Sequence, residues 1–107
     1  MTTEKRDNLS KLLDQLEAEM REQALWQGSP PPRDAFESSV PFFADRMAFA
    51  EWLQWVFVAR MRAIIEGGHP LPDSCQIAPM AEESLRGIQA DTTRITVILA
   101  QFDEHFE

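Results

Sequence analysis

Cysteine, glycine and basic residues are scarce in this chain of 107 residues, and each scarcity removes a class of function. A lone Cys75 cannot form an internal disulfide, and two histidines with one cysteine give no cluster at zinc-ligand spacing. No metal and no cofactor is expected, and a reduced thiol fits a cytoplasmic setting. The glycines stand singly or as the pair Gly67-Gly68, so no phosphate-cradling loop is formed. Lys plus Arg number 10 against 18 Asp plus Glu, a formal net charge of -8. That balance argues against an electrostatic grip on nucleic acid or on an anionic membrane, and fits a surface that keeps the protein dispersed. No apolar run approaches the roughly 20 residues of a membrane span, and the first ten residues lack the apolar stretch of a secretory leader. Repeats and low-complexity segments are also missing.

What remains is an ordinary globular composition, 44% hydrophobic, read as a single helical-bundle domain over 1–107. Leu9, Leu12, Leu13, Leu16 and Met20 recur at helical spacing and predict an amphipathic first helix from about Thr3 to Trp26, stopped by Gly28 and the prolines at 30–32. From Arg33 to Phe43 neither helical nor strand period holds. Phe36, Val40, Phe42 and Phe43 are nonetheless too apolar for water, so this long connection is expected to lie flat on the bundle, with Phe42 and Phe43 as anchors.

The most apolar and aromatic stretch runs from Phe42 to Gly68 and predicts a central buried helix over about 49–66, ended by Gly67-Gly68. At ~100° per residue, Phe49, Trp52, Leu53, Val56, Phe57 and Ile64 share one broad apolar arc, which Met61 and Ile65 extend. Two residues violate it. Arg60 falls near the middle of the arc, where a guanidinium needs backbone carbonyls or a carboxylate such as Asp45, Glu82, Glu83 or Asp103, the alternatives being that it snorkels to solvent or binds an anion. Trp55 falls on the polar side, where it either lies under the connection or serves as a partner-binding anchor. Downstream, Pro79 opens a short third helix to about Arg86 that Gly87 is expected to break, and Asp91 caps a fourth helix carrying Ile95, Ile98, Leu99, Phe102 and Phe106; the same spacing traces back through Thr92, Ile88, Leu85 and Ala81, so one helix continuous across Gly87 is the alternative. The architecture expected is an all-α bundle of three long helices plus one short one. His69 reads as a turn residue before proline, and Cys75 as inert packing.

Pro41-Phe42-Phe43, the run Glu51-Trp52-Leu53-Gln54-Trp55-Val56-Phe57, Arg60-Met61, Pro70-Leu71-Pro72 and Ala78-Pro79 together resemble the YqcC family of small bacterial helical proteins of uncharacterised function. The resemblance spans nearly the whole chain and implies an all-helical bundle. It brings no catalytic residues. It also implies an association with a tRNA pseudouridine synthase, whose gene often lies beside those of the family. Ala59 departs from the family pattern, in which proline precedes the arginine, and implies a more continuous central helix.

These observations give the expectation of a non-enzymatic, cytoplasmic interaction or accessory protein, a monomer or weak homodimer. Its partner would be another protein, with no direct nucleic acid and no membrane. The candidate interaction or pocket residues are Trp52, Trp55, Arg60, Phe42 and Phe43. A competing expectation is a small-molecule or peptide-binding module, using a pocket between the 33–43 connection and the central helix. An enzyme would need groups such as Asp45, Arg60 and His69 to converge, which no motif predicts.

Overall fold

In the computed structural model, which describes residues 2–106, the described residues form helices and turns without a strand. The first helix, α1 (Thr2–Glu22), buries its whole predicted stripe of Leu9, Leu12, Leu13, Leu16 and Met20. It stops short of Trp26, and Gly28 has no part in ending it. The Leu25 N–H donates to the Met20 carbonyl at 2.7 Å and the Ala24 N–H to that of Arg21 at 3.1 Å, while Ala24 takes φ 59°. This is a Schellman closure with alanine in the left-handed position that glycine usually fills.

The connection that follows contains two short 3-10 turns, Arg33–Glu37 and Pro41–Phe43. Ala35 and Met47 are buried beneath it. Phe42 anchors it against the bundle, meeting Phe49 at 5.8 Å and Trp52 at 4.8 Å between ring centroids. Phe43 instead meets Phe36 edge-on at 6.4 Å, inside the connection itself.

The central helix, α2, is continuous over 49–66 but not uniform. Phe49–Trp52 and Ala59–Glu66 are α-helical, and Leu53–Val58 between them is a π-helical segment. The Ala48 N–H at its start donates to the Glu51 carboxylate at 2.8 Å. Its end is closed by Gly68 at φ 69°, with the His69 N–H on the Ile64 carbonyl at 3.0 Å, and the Arg6 guanidinium of α1 donates to the carbonyls of Ile64 and His69. The guanidinium thus adds a second bond to the Ile64 carbonyl and ties the turn after the helix to α1.

A short α3 (Ala78–Ser84) and a longer α4 (Thr93–Glu104) complete the bundle, separated by a break at Gly87, φ 87°. The cap of α4 is displaced from expectation. Thr92 holds the cap position, and the Asp91 carboxylate accepts the Thr93 N–H at 3.1 Å, a bond that lowers its pKa from the ordinary value. Both α1 and α3 pack on α4, whose Ile95, Ile98, Leu99 and Phe102 lie in the common core with Leu53, Phe57 and Ala81.

The left-handed alanine generates a prediction. Relieving it by Ala24→Gly is expected to stabilise the fold by about 1 kcal/mol. Urea or thermal denaturation measures this, and an unchanged or lowered midpoint refutes it.

Candidate functional site

The π-helical segment explains where the expected site residues lie. A π turn accommodates one more residue than an α turn, so each later side chain lags by about 100° from a uniform helix. Met61 therefore takes the place in the apolar arc reckoned for Arg60, and is 8% exposed. Arg60 is correspondingly exposed and makes no ion pair among the described residues, which corrects the expectation of a buried, paired guanidinium. Arg62 is the paired one. Its Nη2 donates to Asp14 at 3.1 Å and to Glu17 at 3.0 Å, tying α2 to α1, while its buried Nε lacks a partner.

Of the carboxylates proposed for Arg60, three are otherwise engaged, and Glu82, exposed on α3, pairs with no cation among the described residues. Asp45 accepts from the Ser38 hydroxyl and faces Arg46, Glu83 pairs with Arg86, and Asp103 serves the start of α3. The set Asp45, Arg60 and His69 has separate neighbours: Ser38 and Arg46 for the first, open solvent for the second, and Arg6 on the His69 carbonyl for the third.

Trp55 is half-buried, and neither Phe42 nor Phe43 covers it. Its indole N–H donates to the Gln27 side-chain carbonyl at 3.3 Å, and it borders a shallow cleft with Trp26. The neighbouring Gln54 was invisible as a special residue inside the apolar run. Its buried amide accepts from the Gln27 N–H and donates to the Gln27 carbonyl, both at 2.7 Å. A glutamine amide can imitate a backbone peptide in this way, and here it fixes the chain after α1 against α2.

An apolar groove of about 450 Å³ is formed by the connection, the head of α2 and α3. Val40, Pro41 and Phe42 line one side, Met47 and Phe49 the floor, and Met80 the α3 wall. Of the five candidate residues Phe42 lines it directly. Trp52 packs on Phe42 at 4.8 Å and on Phe49 at 5.7 Å, so it supports the lining without being part of it. Phe43, Trp55 and Arg60 lie elsewhere. Phe42 and Phe43 adopt φ 58° and φ 52°, two successive aromatic residues in the left-handed region, at a cost of roughly 1–2 kcal/mol each. Their sequence carries no sign of this, because neither glycine nor asparagine marks the turn.

The wall formed by α3 is fixed from below by one carboxylate. Asp103 of α4 accepts the N–H groups of Ile77 at 3.0 Å and Ala78 at 2.8 Å, and the Cys75 thiol at 3.1 Å. Burial first, and the adjacent Asp103 second, push the Cys75 thiol from 9.0 up to about 12. The sulfur is therefore a neutral donor at physiological pH.

Comparison with known proteins adds a family and its relatives. Residues 8–105 match the family model DUF446, described as tRNA pseudouridine synthase C. The chain is 39% identical over 95 residues to an uncharacterized protein of Haemophilus influenzae, covering 89% of this chain and 90% of that one. It is 38% identical over 104 residues to the uncharacterized protein YqcC of Escherichia coli K12, covering 97% and 91%. The solution NMR structure of E. coli YqcC superposes with a TM-score of 0.82 at 36% identity, over 99% of this chain and 89% of that one. A third relative, named tRNA pseudouridine synthase C, from Pectobacterium carotovorum subsp. carotovorum, is 36% identical over 83 residues. That match spans 78% of this chain but 22% of the relative.

Two outcomes test this geometry. Gln54→Leu, which removes the amide bridge to Gln27 at nearly constant volume, is expected to destabilise the fold by about 1–3 kcal/mol in urea denaturation; an unaffected midpoint would mean the bridge contributes nothing net. The Cys75 thiol is raised in the fold, so its contribution to stability is complete below pH 9.0 and is lost as pH rises toward about 12. The melting temperature of the wild type should thus fall relative to Cys75→Ser across that interval, whereas a constant difference refutes the role.

Proposed function

The chain belongs to the YqcC family, DUF446, and from that membership we propose that it is a non-enzymatic, cytoplasmic accessory protein that acts on a tRNA pseudouridine synthase by protein-to-protein contact. The observation that carries the reading is the Pectobacterium relative. There a segment similar to this chain makes up 22% of a longer chain named tRNA pseudouridine synthase C, whereas the Haemophilus and Escherichia relatives are matched over 90% and 91% of their length. A module that occurs both free and joined to a larger chain is one whose linkage replaces a contact otherwise made between separate molecules.

The physical character of this chain supports contact with the enzyme rather than with its substrate. A net charge of -8 opposes the phosphate backbone of tRNA, which basic surfaces hold. The groove beside α2 offers apolar contact surface with aromatic and methionine side chains, the composition enriched where proteins meet. A second reading, binding of a small apolar molecule, is favoured by the groove's volume of about 450 Å³, which lies in the range of ligand pockets.

The accessory reading predicts two results together. Deleting the gene lowers pseudouridine at the tRNA position served by the synthase, and the purified protein binds the purified synthase. Unchanged pseudouridine in the deletion strain, or no binding between the purified proteins, overturns it.

A further inference from the structure

We infer that the groove between the 40–49 segment and α3 receives an apolar segment of the synthase flanked by lysine or arginine, an inference that rests on the accessory reading above. Val40 and Met80, 38% and 37% exposed, are two of the four large apolar side chains most open to solvent among the described residues, and both border this groove. They come from elements far apart in sequence, so the fold gathers exposed apolar surface here. The lining is uncharged throughout, and methionines on its floor and α3 wall supply side chains that adapt to a partner's shape. Beside them the turn at Phe42 and Phe43 holds left-handed backbone of the kind that collects at ligand clamps.

Charge decides between occupants. The Glu51 carboxylate accepts the N–H of the lining residue Ala48, and Asp45 lies in the chain between the lining residues Ala44 and Met47. Asp34 and Asp45 together outnumber Arg46, the cation they face, while Glu83 and Arg86 cancel. The rim of the groove is therefore negative. A second copy of this chain, carrying the same -8, would bring like charge to it. An enzyme that holds tRNA must carry lysine and arginine to engage phosphates, and an apolar segment drawn from such a surface matches both the lining and the rim.

The test uses the full chain and a purified tRNA pseudouridine synthase C from the same organism, with affinities from titration calorimetry and folding of every variant checked by circular dichroism and melting. Val40→Lys and Met80→Lys are each expected to weaken binding roughly tenfold or more, because each places a like charge against the partner's flanks and removes an apolar contact. Val97→Lys, which alters an exposed apolar residue of α4 that does not line the groove, should bind as wild type does. Hydrogen exchange on the synthase should show protection of an apolar stretch bordered by lysine or arginine. Wild-type affinity in both groove variants overturns the docking site while leaving the accessory reading intact. Failure of the unmodified protein to bind overturns both. A self-association removed by Val40→Lys assigns the groove to a second copy, and a small apolar molecule retained in native mass spectrometry beside unaltered synthase binding assigns it to a ligand; either result overturns the inference.

Discussion

A single widened turn in α2 sets the angular position of most of what meets that helix. With uniform α-helical rotation Arg60 would enter the apolar arc and Met61 would sit at its margin. The π-helical segment at Leu53–Val58 shifts the later residues, so Met61 enters the core and Arg60 turns to solvent. The same segment presents Gln54 inward to the backbone of Gln27, and the shifted helix beyond it presents Arg62 to Asp14 and Glu17 of α1. These two contacts form the polar side of the seam between α1 and α2. The surface ion pairs contribute little individually, so the buried amide is the more consequential of the two.

The groove is connected to the core through aromatic rings. Phe42 meets Phe49 and Trp52, Trp52 stacks near Phe57 at 6.0 Å, Phe57 meets Phe102 edge-on at 5.2 Å, and Phe102 meets Phe106 at 5.6 Å. Such pairs contribute about 0.5–1.5 kcal/mol each beyond area burial. That packing offsets the unfavourable left-handed backbone at Phe42 and Phe43 and holds one lip of the groove in place. The opposite wall depends on Asp103, which occupies the unsatisfied N–H groups at the start of α3. One side of the groove is thus held by apolar packing and the other by a carboxylate from α4, which is how a short helix of seven residues keeps its place.

Part of the groove was legible from the residues. The apolar connection and its anchor Phe42 stood out because hydrophobic side chains in a proline-rich, aperiodic stretch must find cover. Met80 carried no such signal, since its place opposite Phe42 depends on how α3 docks. Trp52 packs on Phe42 and supports the lining from behind. Arg60 was misplaced because periodicity assumes a constant rotation per residue, and a π turn breaks that assumption without any glycine or proline to announce it.

The sequence by itself determined the all-helical class, the stripes of α1 and α4, the acidic composition and the family resemblance, since each follows from local spacing or composition, and it left open whether a helix runs on through Gly87. Only the tertiary structure decided which guanidinium is paired, that Gln54 serves as a buried bridge, that Asp103 rather than a neighbouring residue caps α3, and that Val40 and Met80 meet across one groove. Those are relations between side chains distant along the chain. Their geometry is fixed by how the helices pack and by one wide turn, and neither is written in the period of any single segment.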